Sequence, residues 1–300
     1  MFLFAEGGHH TPLIVQFVNH YLGEPVHQFQ VKYTEPLWNE YVFKHVGTTA
    51  ANVFGPYTVE NAIPWYTIMF VIACILTVVI VNILKGKLSS EDPGSGQLTL
   101  EAGFLAIKGM ITSIIGEKGF KHFPVVATFA VLILVSNLMG HFPLFMSPTA
   151  SVNVTFALGI SSFVYYNYIG ISENGLFGHI AHFAGPKLPL LMLPITVLIF
   201  FIEIISNSIR PLTLGVRLFA NLYADEMVFL EISNLAPPFT HFLVPLVITF
   251  LGVFVAFVQA FVFTLLSMIY ISEVSHHGHD HDEHHEEQAH GEPAAAAAHA

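Results

Sequence analysis

Apolar residues in this chain come in long runs, and the polar positions fall mostly between the runs rather than alternating within them. Residues 61–84 carry no charge and Ile68–Leu84 is nearly all apolar, which predicts a first spanning helix at about 64–84. Trp65 and Tyr66 stand at its start as interfacial aromatics. Residues 122–172 contain no Asp, Glu, Lys or Arg, and Pro143 and Pro148 divide them into two spans, about 124–144 and 152–171. Ahead of them, residues 98–117 mix Leu, Phe, Ile and Met with Glu101, Lys108 and Glu117. That stretch is too polar to span and reads as a helix lying in the membrane interface.

The pattern changes at 188–233, where an apolar run carries six embedded charges: Glu203, Arg210, Arg217, Asp225, Glu226 and Glu231. As one helix it would be roughly 70 Å long, against about 30 Å of hydrocarbon. It must therefore lie at a steep tilt or break near Arg210-Pro211 into a hairpin. The turn Asn234-Leu-Ala-Pro237-Pro238 ends it. A last helix follows at 239–273; its 31 residues from Phe242 to Ser272 are uncharged and include Gln259. A tilted, packed pair fits both lengths. The expected fold is an all-α polytopic membrane protein with five membrane helices plus one interfacial helix, the last two long and steeply tilted.

Composition agrees. Of 300 residues 54% are hydrophobic and 10% charged, where soluble domains carry about 25% charged residues. The net charge of -11 says little about the membrane domain, because seven of the 21 acidic residues follow position 272. No basic patch for nucleic acid exists, and the single cysteine, Cys74, lies in an apolar run and forms no intrachain disulfide. The first 25 residues lack a basic stretch followed by an apolar core, so no cleaved signal peptide is expected.

Three regions result: an extracytoplasmic segment at 1–60 with a short amphipathic helix near Pro12–Leu22, a membrane domain at 61–273, and a disordered His/acidic tail at 274–300. Lys85, Lys87, Lys108, Lys118 and Lys121 are half of the ten basic residues and place the loop at 85–121 in the cytoplasm. Residues 172–189 form a second cytoplasmic loop. By parity the N-terminus is outside and the C-terminus inside. The tail holds eight of the 18 histidines, and His276, His277, His279 and His281 are weak metal candidates. The tract reads as adventitious affinity, and no metal or other cofactor is assigned.

Arg217 is the most informative residue. It is one of only two arginines, in the middle of a long apolar region, and it keeps its charge in low dielectric. The cost of such a charge at a helix centre runs from about 2.5–3.5 to over 10 kcal/mol. At about 100° per residue, Asn221 and Glu203 both fall near +40° from Arg217, and Glu226 falls near 180°, on the opposite face. Asp225 lies about 100° from Glu226. A permanent cation with titratable carboxylates nearby but separated suits proton transfer by two unconnected routes. No H-E-x-x-H, nucleophile elbow or paired-His array marks an enzyme, and no inverted repeat marks a secondary transporter.

The segment Arg217-Leu-Phe-Ala-Asn221-Leu-Tyr-Ala-Asp225-Glu226 resembles subunit a of the rotary F-type ATP synthase, bacterial type, whose pattern here is Arg-Leu-Phe-Gly-Asn-(Met/Leu)-Tyr-Ala-Gly-Glu. Ser151-Val-Asn153-Val-Thr155 is similar to that family's Ala-Asp-Val-Asn-Val-Thr segment, and Glu203 and Gln259 match its intramembrane Glu and last-helix Gln. The resemblance implies a non-catalytic stator subunit that forms two proton half-channels against a rotating c-ring. Arg217 would attract the ring carboxylate and block leakage, with Gln259 supporting it. Glu226 would line the periplasmic half-channel, and Glu203 would sit near the inner route. Implied partners are the c-ring subunits, a subunit b stator dimer, the F1 sector via the stalks, and lipid; the implied location is the bacterial inner membrane. Three residues depart from the pattern: Asp225 replaces a frequent Gly, Gly252 stands where the last helix often carries His or Glu, and Ser151 replaces Asp. The outer half-channel is thus expected to rest on Glu226, with Asp225 as a secondary group.

Overall fold

The computed structural model describes residues 12–41, 43–45, 47, 49, 59, 62–89, 91–142, 145–183, 193–235 and 240–275. Within these, the side chains of 45, 174, 176–177, 179–183, 193–194, 226, 229–230, 232–235 and 240–245 fall outside the description. So do the four tail histidines, His276, His277, His279 and His281, and with them the candidate metal tract.

The chain opens with α1 (Leu13–Phe29), which continues through a π-helical turn into α2 (Glu35–Tyr41). Asn19 anchors this segment: its side chain donates to the Ile63 carbonyl and accepts from the Ile63 N–H, both at 3.1 Å. Gly23 makes the approach possible, because a Cβ there would lie 2.5 Å from the Val59 carbonyl oxygen. Val15 of α1 joins Ile68, Met69, Ala73 and Met139 in one core cluster.

The next helix, α3, covers Trp65–Lys85 and stops at Gly86, whose φ of 49° is left-handed. Then come α4 (Ser95–Ile114), a 3-10 stretch at Glu117–His122, α5 (Phe123–Met139), a 3-10 turn at Pro148–Ala150, α6 (Val152–Phe183), α7 (Leu193–Leu235) and α8 (Thr240–Ser275). Five helices are long and apolar enough to cross a membrane, at 65–85, 117–139, 152–173, 195–225 and 246–275. The fold is the all-α polytopic one expected, and α4 occupies the place of the interfacial helix. Val71, Ile75, Val78 and Ile83 of α3 are exposed; in a membrane such a face contacts lipid rather than water.

Two details differ from or decide among the sequence expectations. The stretch expected to be a loop from 172 is helical as far as Phe183, turning at Gly175, where φ is 70°. Glycine adopts that backbone without steric cost, so one residue redirects the chain. The second concerns Pro211, where a hairpin was the alternative to one long helix. The helix runs through it, from Leu193 to Leu235 without a break. Pro211 cannot donate to the Asn207 carbonyl one turn earlier. The Tyr166 hydroxyl of α6 donates to Asn207 Oδ1 at 2.5 Å and lies 3.4 Å from that carbonyl. A tertiary hydrogen bond thus anchors the residue whose carbonyl proline leaves free.

At 43 residues, α7 is about 64 Å long, twice the hydrocarbon thickness of about 30 Å, so it runs obliquely or well beyond it. Its most extensive contact is with α6, and α5, α6 and α7 all pack on α8. The crossing of α6 and α7 is built on two glycines. A Cβ at Gly159 would fall 2.6 Å from the Pro211 carbonyl oxygen, and one at Gly215 would fall 3.1 Å from that of Thr155. Small residues let membrane helices approach closely enough for van der Waals attraction to hold them.

Candidate functional site

Along α7 the buried positions are Asn207, Pro211, Leu214, Gly215, Leu218 and Leu222. They recur every three or four residues and form one stripe. Leu214, Leu218 and Leu222 pack into a cluster with Ile133 of α5, Val154 and Leu158 of α6, and Ala260 and Phe263 of α8. Ser206, Thr213, Val216, Arg217, Ala220, Asn221 and Ala224 lie on the exposed side. The helix is held by one face and presents the other.

Arg217 belongs to the presented face. It is exposed, and no ion pair among the described residues reaches it. One turn further on, Asn221 Nδ2 donates to Gln259 Oε1 of α8 at 2.7 Å. Gln259 is buried, and its Nε2 has no hydrogen-bond partner among the described residues. The amide matched by sequence to the support of Arg217 therefore holds the residue beside it, Asn221, and through that residue the register of α7 on α8.

The other arginine is differently placed. Arg210 donates to both carboxylate oxygens of Glu273 on α8, Nη2 reaching Oε1 at 2.8 Å. Its guanidinium lies 5.2 Å from the Tyr270 ring centroid, and Glu203 approaches at 3.8 Å. Forked pairing with a carboxylate plus an aromatic face is how arginine is held in place. Glu203 thus meets Arg210, two turns along its own helix, and lies about 21 Å along the axis from Arg217. Glu273 had no signal in the sequence beyond its position at the end of an apolar run.

Beyond Arg217 in the other direction, Asp225 lies about 12 Å along the helix. It is half-buried, and Oδ2 is enclosed without a hydrogen-bond partner among the described residues. Glu226 continues the helix, and its side chain falls outside the described residues. One titratable neighbour is a residue that sequence reasoning passed over. His141 lies on the turn after α5, and its charge and that of Asp225 interact. The His141 ring sits against Gly252 of α8, where a Cβ would lie 2.5 Å from Nε2. His141 Nδ1 is buried with no partner among the described residues.

The turn that carries His141 is braced. Ser147 Oγ donates to the Ser136 carbonyl at 2.9 Å and lies 2.7 Å from Thr149 Oγ1, which donates to Asn137 Oδ1 at 2.7 Å. These groups are buried, so the turn is fixed by hydrogen bonds that water does not compete for. Two signals in the sequence pointed here without being joined: His141 is one of two histidines in an uncharged stretch, and Gly252 departs from the family pattern.

The site therefore has three zones along one helix: an internally neutralised arginine, an open arginine, and a half-buried carboxyl with an imidazole as its neighbour. Among the described residues no group of three or more His, Cys, Asp or Glu could hold a metal.

Comparison with known proteins identifies the family. The family described as ATP synthase A chain matches residues 66–272. ATP synthase subunit a of Geotalea daltonii is 42% identical over 205 residues, covering 68% of this chain and 85% of that protein. ATP synthase subunit a of Geobacter sulfurreducens is 41% identical over 201 residues, 67% of this chain and 82% of its own length. ATP synthase subunit a 3 of Pelobacter propionicus is 41% identical over 197 residues, 66% and 82% of the two chains. With the family match spanning residues 66–272, more than half of its length, this chain belongs to the ATP synthase A chain family.

Proposed function

We propose that this chain, as the non-catalytic proton-translocating membrane subunit of an ATP synthase, forms two proton half-channels against a rotating ring of carboxylate-bearing c subunits. One observation carries the reading: Arg217 stands exposed and without an ion pair among the described residues, midway along a helix whose other arginine is neutralised. An arginine directed at lipid costs from about 2.5–3.5 to over 10 kcal/mol. A ring carboxylate passing that face removes the cost, and the fixed charge makes the carboxylate release its proton before it passes.

The carboxyls on either side supply the routes. Glu226 and Asp225 serve the outer half-channel, and Glu203 serves the inner one. The sequence ranks Glu226 first of the outer pair; of the two, Asp225 is the one whose side chain is described, and its Oδ2 is enclosed without a partner among the described residues. The lysines at 85–121 favour a cytoplasmic position for that loop, with the N-terminus periplasmic, the C-terminus cytoplasmic, and the chain in the bacterial inner membrane. The remaining partners are a subunit b dimer and the F1 sector via the stalks.

The test is Arg217→Ala in inverted membrane vesicles. Proton-driven ATP synthesis is lost while the complex still assembles. Arg217→Lys is severely impaired as well, because lysine lacks the planar fork and can lose its proton when buried. Normal synthesis in either variant removes the reading.

A further inference from the structure

Outside the residues assigned so far, one titratable side chain is built into the outer end of α7: His141. Three independent features meet there. Gly252 leaves a notch in α8 that the imidazole fills, with Nε2 occupying the space a Cβ would need. The other ring nitrogen, Nδ1, is buried and unpartnered among the described residues, and so is Oδ2 of Asp225. The turn bearing His141 is held by the Ser136–Ser147–Thr149–Asn137 hydrogen bonds, so the ring's position is fixed rather than incidental.

A half-buried imidazole and a half-buried carboxyl, each with an enclosed atom whose hydrogen-bonding capacity is unfilled, are unfavourable as mere structure. An unmade hydrogen bond of this kind is costly, and a leucine at position 141 against Gly252 would avoid it. Retaining both polar groups makes sense where protons pass between them. We propose that His141 is a proton-relay residue of the outer half-channel, seated in the Gly252 notch and working with Asp225. This rests on the half-channel reading above.

The step conserves protons and needs no other reactant. A proton from the outer aqueous side binds the neutral imidazole; the imidazolium passes one proton to the Asp225 carboxylate; the carboxyl passes it on towards the ring. His141 returns to neutral, and one proton has moved. The groups around the imidazole are few. On α7 they are Asp225 and its chain neighbour Glu226. α5, the described part of the turn and the stretch of α8 from 246 to 258 carry no other titratable side chain. On α3, Tyr66 packs against the core cluster formed by α5, α6, α7 and α8.

The notch allows a test that separates proton transfer from space filling, since the imidazole can be supplied from the opposite wall. The readout is passive proton uptake, driven by a potassium diffusion potential, into vesicles stripped of F1, with assembled complex quantified. His141→Ala is expected to lower uptake at least about tenfold, the lower range of what a positioned acid–base group contributes. His141→Gln, which keeps a polar side chain in place, is expected to be equally slow. His141→Ala/Gly252→His is expected to recover most of the flux, and His141→Ala/Gly252→Leu, which refills the space without a titratable group, to recover none. Normal flux in His141→Ala or His141→Gln, rescue by leucine equal to that by histidine, or no rescue by histidine overturns the proposal. Arg217→Ala in vesicles that retain F1 keeps the two readings apart: its retaining ATP synthesis would fail the half-channel reading, whereas its loss with unaffected His141 variants would fail this inference alone.

Discussion

Gly159→Ala measures how closely the position of Arg217 is controlled by helix packing. The added Cβ would lie 2.6 Å from the Pro211 carbonyl oxygen, where ordinary contact begins at 3.4 Å. The shortfall is 0.8 Å (3.4 less 2.6), and the opposing atom is backbone, which cannot swing aside. Relief requires α7 to back away from α6 by about that distance. Alanine gains about 1 kcal/mol over glycine in helix propensity, while overpacking costs typically about 1–3 kcal/mol. The steric effect therefore wins at position 159. At Gly215 the shortfall is only 0.3 Å, from a contact of 3.1 Å to the Thr155 carbonyl, and propensity offsets most of it. Gly215 faces α6 and Arg217, two residues on, lies on the exposed side, so a retreat of α7 moves the guanidinium outward. A misplacement of about 1 Å at a reacting centre can lower a rate by about 10²-fold. Gly159→Ala should therefore lower ATP-driven proton pumping by about tenfold or more and reduce the thermal stability of the purified complex. Gly215→Ala should change both little. Equal effects of the two substitutions, or normal pumping in Gly159→Ala, would refute the packing argument.

The remaining expectations concern charges. Glu273→Gln leaves the half-buried Arg210 with only Glu203 at 3.8 Å; between the values for exposed and buried pairs, the loss is about 1–3 kcal/mol, read as a lower thermal inactivation temperature, and an unchanged temperature would count against a structural role for the pair. Asp225→Asn and Glu226→Gln should each slow proton uptake in stripped vesicles, and adding His141→Ala to Asp225→Asn should slow it no further than the worse single change, since residues on one path are not additive; full multiplication of the two effects would place them on separate paths.

Much of the fold was legible because lipid is an undemanding reader: runs of apolar residues without charge allow few structures besides helices. The five spans and the short helix before the second followed from counting charges. Pro211 was not decidable in this way, since a proline between apolar runs is compatible with a hairpin or a continuous helix. What decided it was the Tyr166 hydroxyl, contributed from a helix about 40 residues earlier and invisible to local pattern. The extension of α6 past Gly175 was missed for the opposite reason. Glu173, the glycines and histidines carry the composition of a loop, yet a second helical stretch follows directly on the kink at Gly175, whose φ of 70° breaks one helix and lets the next begin.

The site was legible in chemistry and not in pairing. Arg210 and Arg217 are the same residue type on the same helix, and seven residues bring the helix nearly round to the same face. Nothing in the sequence near either says which is neutralised, because the deciding carboxylate, Glu273, comes from the far end of α8. His141 was hidden similarly: a lone histidine in an apolar stretch is more often structural, and its meaning depends on Gly252, more than a hundred residues later.

The three zones of α7 differ in where their charge is balanced, and that difference is what the proposed rotary proton path needs. Arg210 is balanced inside the chain, through a forked carboxylate pair and an aromatic face, so it adds rigidity without attracting a passing ring carboxylate. Asp225 and His141 are enclosed with unused hydrogen-bonding atoms, an arrangement that favours gaining and losing a proton over holding a fixed partner. Arg217 is left open between them, with Gln259 engaging Asn221 rather than the guanidinium. Were Arg217 paired within the chain as Arg210 is, a ring carboxylate could pass it still protonated and the two routes would be joined. Were Asp225 paired as Glu273 is, its proton affinity would fall and the outer route would stall. The internal pairing on one side of Arg217, the open guanidinium of Arg217 itself and the unpartnered polar atoms on the other side thus each fit the role the proposed proton path gives them.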